Sequence, residues 1–275
     1  IISFPFDAAT SWFETSGTTE GETGRHYFET LEIYEKAIVP PFKKFLLPDC
    51  ERMRMEILTP PPDEMVHSSL VHMMETVRQR FGTPESRYHG MGNAVNLDSL
   101  SASLAESAER QTPVFLLGTA FAFVNTLEEM ARRGMKFNLP FGSRIMETGG
   151  FKGRSREVNR SEFYEVLSES FSIPAFNIVN EYGMTELSSQ FYDKSLRDQA
   201  PTEGKLGPEW ARVIIVNPET GAECPVGVPG LIRIVDLANV GSVMVLQTED
   251  VGIAAEDGSF RVLGRVGQAA PRGCS

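Results

Sequence analysis

The stretch Phe176-Asn-Ile-Val-Asn-Glu-Tyr-Gly-Met-Thr-Glu186 decides the fold. Phe176–Val179 reads as a short buried strand. An aromatic ring, a glycine, a hydroxyl and a carboxylate follow at once. Ligands of open α/β sheets bind at the carboxyl ends of strands. Tyr182 there can stack on a base, Gly183 permits close approach, and Glu186 can hold a metal ion. A helical turn is expected to start at Thr185, and an N-capped helix start accounts for the same residues without any ligand.

The pattern repeats outward from this point. Upstream, Ser143–Glu147 reads as a strand leading into Thr148-Gly149-Gly150. Val114–Leu117 is an apolar run suited to a buried parallel strand, with a helix after Gly118-Thr119. Arg52–Leu58 alternates charged residues with Met53, Met55 and Ile57, a strand signal. Helical spacing appears in Tyr27, Leu31, Tyr34 and Ile38, a helix expected to run from Arg25 and to stop at Pro40-Pro41. It recurs in Val66, Leu70, Met73, Val77 and Phe81, closed by Gly82. Asn159 with Glu162 forms a capping box opening a helix with Phe163, Val166, Leu167 and Phe171 inward. Residues 1 to about 195 thus alternate strand, loop and helix, which predicts an α/β fold with a mostly parallel sheet. Downstream, Val213–Val216, Leu231–Val235, Val243–Leu246 and Phe260–Leu263 are short β-rich runs separated by Gly, Pro and Asp. They predict a β-rich subdomain, a partly closed barrel. The division falls into residues 1–200 and 201–275.

Composition narrows the function. The chain has 275 residues and a net charge of −11, with no basic stripe to compensate, which argues against nucleic acid as partner. Three widely spaced cysteines give no disulfide framework and suit a reducing, cytoplasmic setting. No apolar run approaches the length of a membrane span. Ile1-Ile2-Ser3-Phe4 reads as the interior of a longer chain, so the native N-terminal part is expected to be missing.

Two further stretches carry chemistry. Thr15, Ser16, Gly17, Thr18 and Thr19 are five small residues, four with hydroxyls. Such a loop can wrap phosphates with backbone N–H groups and side-chain oxygens, aided by a following helix N-terminus. A Ser/Thr-rich surface turn is the plainer reading. It is not a Walker loop, because the G-x-x-x-x-G-K-[ST] spacing is absent. Near the end, Thr248-Glu-Asp250 and Gly264-Arg265 each follow a strand, and Asp250 and Arg265 can face the hydroxyls of a ribose. Asp257-Gly258 is a hairpin turn.

In this order, these elements resemble the adenylate-forming superfamily of acyl-CoA synthetases. The resemblance implies that Thr15, Ser16, Gly17, Thr18 and Thr19 hold the phosphates of ATP. It implies that Tyr182 stacks on adenine, with Gly149 and Gly150 in the loop behind it. Thr185 would contact the α-phosphate, Glu186 would ligate Mg²⁺, and Asp250 and Arg265 would bind ribose. Glu147-Thr-Gly-Gly-Phe-Lys-Gly-Arg154, the Ser188-Ser189-Gln190 tail and the ending Arg272-Gly-Cys-Ser275 narrow it to the acyl-protein synthetases of bacterial bioluminescence and their relatives. The implied reaction activates a carboxylic acid, a fatty acid, as acyl-AMP. The acyl group then passes to a thiol, with Cys274 the candidate and Arg272 favouring its thiolate. An acyl-reductase or a carrier protein is the partner this implies.

The chain departs from the superfamily pattern in three places. Glu20-Gly-Glu-Thr-Gly-Arg25 stands where the loop usually continues with Gly, Pro and Lys, leaving Arg25 as the nearby cation. Glu249 stands where glycine is usual. The mobile domain with a catalytic lysine, which follows Arg265 in acyl-CoA synthetases, lies outside this sequence. Two other readings stay open: an acyl-CoA ligase of the phenylacetate type, against whose ordinary reaction the missing domain counts, and a non-catalytic subunit that binds nucleotide or a partner, which the missing loop lysine favours. Lys152, Arg154 and Arg156 read as a solvated loop. His26, His67, His72 and His89 lack metal-ligand spacing.

Overall fold

Val114-Phe-Leu-Leu117 lies within the parallel part of the sheet, each of its side chains fully buried. Phe115 and Leu117 point to one face and Val114 and Leu116 to the other, as period-two alternation requires. The computed structural model describes residues 2–15, 24–149 and 160–266. A hairpin comes first, β1 (Ser11–Glu14) and β2 (Arg25–Phe28). There follow α1 (Glu32–Leu46), β3 (Arg54–Ile57), α2 (Ser69–Phe81), β4 (Arg87–Tyr88) and a second small hairpin, β5 (Gly90–Met91) and β6 (Ala94–Val95). Then come α3 (Leu97–Arg110), β7 (Val114–Thr119), α4 (Ala120–Arg132), β8 (Arg144–Thr148), α5 (Arg160–Phe171) and β9 (Ile178–Tyr182). The rest is β10 (Phe191–Asp193), α6 (Ser195–Asp198), β11 (Lys205–Leu206), β12 (Ala211–Val216), β13 (Gly230–Asp236), β14 (Val245–Ala254) and β15 (Phe260–Arg265).

Eleven strands form one sheet in the order β12-β13-β14-β15-β11-β10-β9-β8-β7-β3-β4. From β4 to β9 all neighbours are parallel. From β9 onward they are antiparallel. The α/β expectation holds. Helices α1 and α2 cover one face, where Ile38, Phe42, Phe45, Met73 and Val77 pack on Met55, Ile57, Met146 and Val179. Helices α3, α4 and α5 cover the other, where Leu100, Leu104, Phe123, Leu127 and Leu167 pack on Leu116, Ile145 and Ile178. A third cluster, with Phe191, Ile215, Ile232, Ile234 and Phe260, lies under the antiparallel strands. Among the described residues, β12–β15 form an open meander that extends the large sheet, where a partly closed barrel was expected.

Several local expectations change. Arg25–Phe28 is a strand, and the first helix passes through Pro40 and Pro41 to Leu46. Each proline lacks the N–H that would bond the carbonyl four residues back, at about 3 kcal/mol or more. Burial of Phe42, Phe45 and Leu46 at 0 % exposure offsets this, at about 1.5–3 kcal/mol each. Helix α2 starts at Ser69, with Ser68 capping the Val71 amide at 3.3 Å, so Val66 lies outside it and is 68 % exposed. Val166 is exposed as well, although Phe163, Leu167 and Phe171 point inward as expected. Helix α3 was not anticipated. Its signals, Asn96 capping the Ser99 amide and Leu97, Leu100 and Leu104 at helical spacing, are diluted by serines.

The charged residues of β3 turn inward. Glu56 accepts from Arg54 at 2.7 Å and from the Ser103 hydroxyl at 2.7 Å, and His89 lies 2.7 Å from its other oxygen. Every charge is partnered, as burial demands, and the network ties β3 to α3. At the start of the chain, the Ser3 amide donates to the Gly241 carbonyl at 3.1 Å and its hydroxyl to the Val240 carbonyl at 3.0 Å. The expected Asp257-Gly258 turn joins β14 to β15, with Gly258 at φ +80°.

Candidate active site

The segment 180–186 does not start a helix. It leaves β9, turns at Thr185-Glu186, and returns as β10 in an antiparallel hairpin with Tyr182 opposite Phe191. The turn thus sits at the carboxyl end of β9, where the sequence placed the ligand. The Tyr182 ring packs edge-on against Phe260. Its hydroxyl donates to Asp250 Oδ2 at 2.8 Å, and Arg265 Nε donates to Asp250 Oδ1 at 3.2 Å. Asp250 and Arg265 are cross-strand partners in β14 and β15. The Thr248 hydroxyl accepts the Asp250 amide at 3.1 Å and donates to the Ile232 carbonyl at 2.9 Å. Burial, and then the Asp250 carboxylate, push the Tyr182 hydroxyl well above its ordinary range, so it stays a donor. Two side chains from distant parts of the sequence, Tyr182 and Arg265, meet at the carboxylate of Asp250. Each oxygen of that carboxylate keeps lone pairs for a further donor.

Thr185 stands at the other end of the same turn. Its hydroxyl is 3.4 Å from the Glu14 carbonyl and 3.4 Å from the Ser69 hydroxyl. Its carbonyl accepts from His26 Nδ1 at 2.8 Å. Burial pushes His26 below the usual imidazole range, favouring the neutral ring. Glu14 ends β1, and Thr15 closes the mouth of the loop: its amide donates to the Gly24 carbonyl at 2.9 Å, and its hydroxyl accepts the Gly24 amide at 2.8 Å. The loop after Thr15 therefore joins two antiparallel strands, and the expected helix N-terminus is not there. Ser16, Gly17, Thr18 and Thr19 lie outside the described residues, as do Gly150, Lys152, Arg154, Arg156, Asn159, Arg272 and Cys274. Arg25 pairs with Glu14 at 3.2 Å and lies over the Trp12 ring.

Glu186 is exposed, and its backbone carbonyl accepts from Asn239 Nδ2 at 2.7 Å. Its carboxylate has no hydrogen bond among the described residues. Mg²⁺ is commonly held by one or two carboxylates plus substrate phosphates, and a free carboxylate one residue from Thr185 fits that use. No group of three or more His, Cys, Asp or Glu side chains forms a ready-made metal cage among the described residues.

Gly149 follows β8 at φ +82°, and a Cβ there would meet nothing within 4 Å. The left-handed backbone is what calls for glycine. Behind it lies a charged layer that sequence reading missed. Glu147 accepts from the Tyr164 hydroxyl at 2.9 Å and from Asn180 Nδ2 at 2.7 Å. Asp193 accepts from Lys205 Nζ at 2.7 Å and pairs with Arg160. Burial raises the Glu147 carboxyl and lowers the Lys205 ammonium. Lys205 is 1 % exposed in a short strand among polar residues, and nothing in its local sequence distinguishes it from a surface lysine. A cavity of about 690 Å³ borders Arg160, Tyr164, Ser168, Ile178 and Thr202. It touches none of Tyr182, Thr185, Asp250 or Arg265. Its mixed lining is not the apolar tunnel a long acyl chain needs.

Residues 46–275 match the family described as acyl-protein synthetase, LuxE. The chain belongs to that family. A long-chain-fatty-acid–luciferin-component ligase of Vibrio harveyi is 24 % identical over 190 residues, covering 66 % of this LuxE-family chain and 48 % of the relative. The chain thus spans about half the length of that curated relative. Among solved structures, ATP-bound MatB from Rhodopseudomonas palustris superposes with a TM-score of 0.61 at 16 % identity, covering 95 % of this chain and 49 % of that one. O-succinylbenzoate coenzyme A synthetase (MenE) from Bacillus subtilis, in complex with AMP, gives 0.61 at 18 %, covering 95 % and 50 %. An open form of 2-hydroxyisobutyryl-CoA ligase gives 0.68 at 11 %, covering 96 % and 59 %. These likenesses establish a shared fold. No helix among the described residues of the LuxE-family chain is long and apolar enough to cross a membrane.

Proposed function

We propose that this LuxE-family chain activates a carboxylic acid, of the fatty class, with ATP and Mg²⁺. A carboxylate oxygen attacks the α-phosphorus, pyrophosphate leaves, and acyl-AMP remains. A thiolate then attacks the acyl carbonyl and AMP leaves, giving a thioester. Cys274 is the proposed thiol. A partner acyl-reductase or a carrier protein then takes the group. The observation that carries this reading is the meeting of Tyr182 and Arg265 on the two oxygens of Asp250, at 2.8 and 3.2 Å, at one end of a turn whose other end is Thr185. Ribose hydroxyls are met by Asp250 and Arg265, adenine by Tyr182 and Gly149, and phosphates by Thr185 with Thr15, Ser16, Gly17, Thr18 and Thr19. Gly150 passes behind the base, and Glu186 supplies a carboxylate to Mg²⁺, which neutralises phosphate charge. Residues 1–200 hold the phosphates and the acid, and 201–275 hold the ribose and the thiol. The name of the Vibrio harveyi relative supports a fatty acid substrate, and the free Cys50 and Cys224 suit the cytoplasm.

Carboxylate-dependent ATP–pyrophosphate exchange across a panel of acids tests the first half. Exchange with long-chain acids is expected, and no exchange with any acid overturns it. For the second half, full-length protein given ATP and labelled fatty acid should gain a hydroxylamine-labile label. Cys274→Ser should lose the label and keep exchange. A label that persists in the Ser variant, or an acyl group accepted by free CoA alone, replaces this reading with a CoA ligase.

A further inference from the structure

The last paired residues of β8 and β9 are Thr148 and Glu181. The next residues along the two strands are Gly149 and Tyr182. The Thr148 hydroxyl donates to Glu181 Oε2. The other carboxyl oxygen lies against the backbone of Gly183, where an added Cβ would collide with it. Glu181 is therefore gripped from both sides, by a hydroxyl on β8 and by the turn that carries Tyr182 and Thr185. Both side chains are buried, Thr148 at 7 % and Glu181 at 5 % exposure.

We propose that Glu181, held by Thr148, is a positioning residue that sets the separation of Gly149 from the Tyr182-Gly183 turn and so governs nucleotide affinity. The inference rests on the reading above, in which the base lies between these elements. Around the carboxyl stand Thr148 and Glu147 of β8, Tyr192 of β10, Tyr34 of α1 and Lys205 of β11. Thr148 supplies its one hydrogen bond among the described residues, and a buried carboxyl stays ionised only where hydrogen bonds and opposite charges outweigh desolvation. The Tyr34 hydroxyl is spent on the Ser69 carbonyl at 3.1 Å, the Tyr192 hydroxyl has no partner among the described residues, and Lys205 is bound to Asp193. Burial accordingly raises the Glu181 carboxyl to about 7, against the pull of Thr148 and Lys205. The neutral carboxyl fits the grip. Once ionised, it draws water or swings toward Lys205 or Tyr192, and the Gly183 turn loses its support.

The test measures ATP binding by full-length protein from pH 6.0 to 8.5. If only the neutral form is competent, affinity falls with its population, by about 30-fold at pH 8.5 for a group titrating near 7. Glu181→Gln keeps a neutral side chain of the same shape. The ratio of wild-type to variant dissociation constants, in which titration of the ATP phosphates cancels, should therefore climb toward that factor. Thr148→Val should weaken binding and move the midpoint of the wild-type profile to higher pH, because it removes the donor that favours the charged form; this variant also decides the matter should Glu181→Gln fail to fold. A ratio flat across pH in folded protein, or a Thr148→Val profile identical to wild type, overturns the inference alone. Folded wild-type protein that binds no ATP at any pH overturns the nucleotide reading itself, and this inference with it.

Discussion

Asp250 is the residue on which the ribose reading turns. It accepts from two side chains and stands on a strand pinned by Thr248. Asp250→Ala removes a charged acceptor, and hydrogen bonds to charged groups contribute about 1.5–3 kcal/mol. ATP affinity by titration calorimetry should fall roughly 10- to 100-fold; an unchanged value would reduce Thr248-Glu-Asp250 to a strand segment without a ligand. Glu186 makes the complementary case. Its carboxylate is exposed and unpaired among the described residues, so Glu186→Gln should leave the melting temperature unchanged. Pyrophosphate exchange should drop on the order of a hundredfold, because a metal ligand worth several kcal/mol is weakened. Wild-type exchange in the folded variant removes Glu186 from the chemistry. Tyr182, Thr185, Glu186, Asp250 and Arg265 could be singled out in the sequence because each is a chemically distinctive residue beside a strand-like run, although Asp250, expected to follow a strand, lies within β14 and Arg265 is the last residue of β15. Thr148, Glu181 and Lys205 could not, since a buried role for a common polar residue depends on partners far away in the chain.

Among the elements, α1 departs furthest from local propensity. Two prolines at its centre read as a stop, yet the helix continues because Phe42, Phe45 and Leu46 fill one face of the sheet. Local sequence carries the cost of the prolines and says nothing of the aromatic sockets, where Phe42 meets Phe81, Phe115 and Tyr192 at ring separations of 5.8, 5.8 and 6.3 Å. Phe42→Ala should therefore cost about 3–5 kcal/mol in urea unfolding; a loss below about 1 kcal/mol would mean that α1 is held by something else. Helix α3 shows the reverse. Its cap and leucines were present in the sequence, but serines blurred the apolar stripe. The parallel strand β7 was legible because a strand buried on both faces reads as an apolar run; in β8 and β9 only Ile145-Met146 and Ile178-Val179 do so, between charged and polar residues.

For the whole molecule, buried acids set the pH dependence of stability. Unfolded, Glu181 releases its proton near the ordinary carboxylate value of about 4.5, whereas folded it holds the proton to about 7. Between these values the folded state binds more protons, so this group lowers stability as pH rises from about 4.5 to about 7, with no further change above. Glu147 is raised in the same direction by burial. Burial of His26 in its neutral form works the other way up to the ordinary imidazole value, so the check is the difference: the melting temperature of Glu181→Gln relative to wild type should climb across that window, and a constant difference would place the titration elsewhere. The tie at Ser3 closes late in synthesis. Ser3 is fastened to Val240 and Gly241. At about 5–20 residues per second of synthesis, its partners emerge roughly 12–48 s after it does. Through that interval the Ser3 amide and hydroxyl have only water for partners, while Phe6, 67 % exposed even in the folded chain, already has Tyr27 to rest against at 5.1 Å.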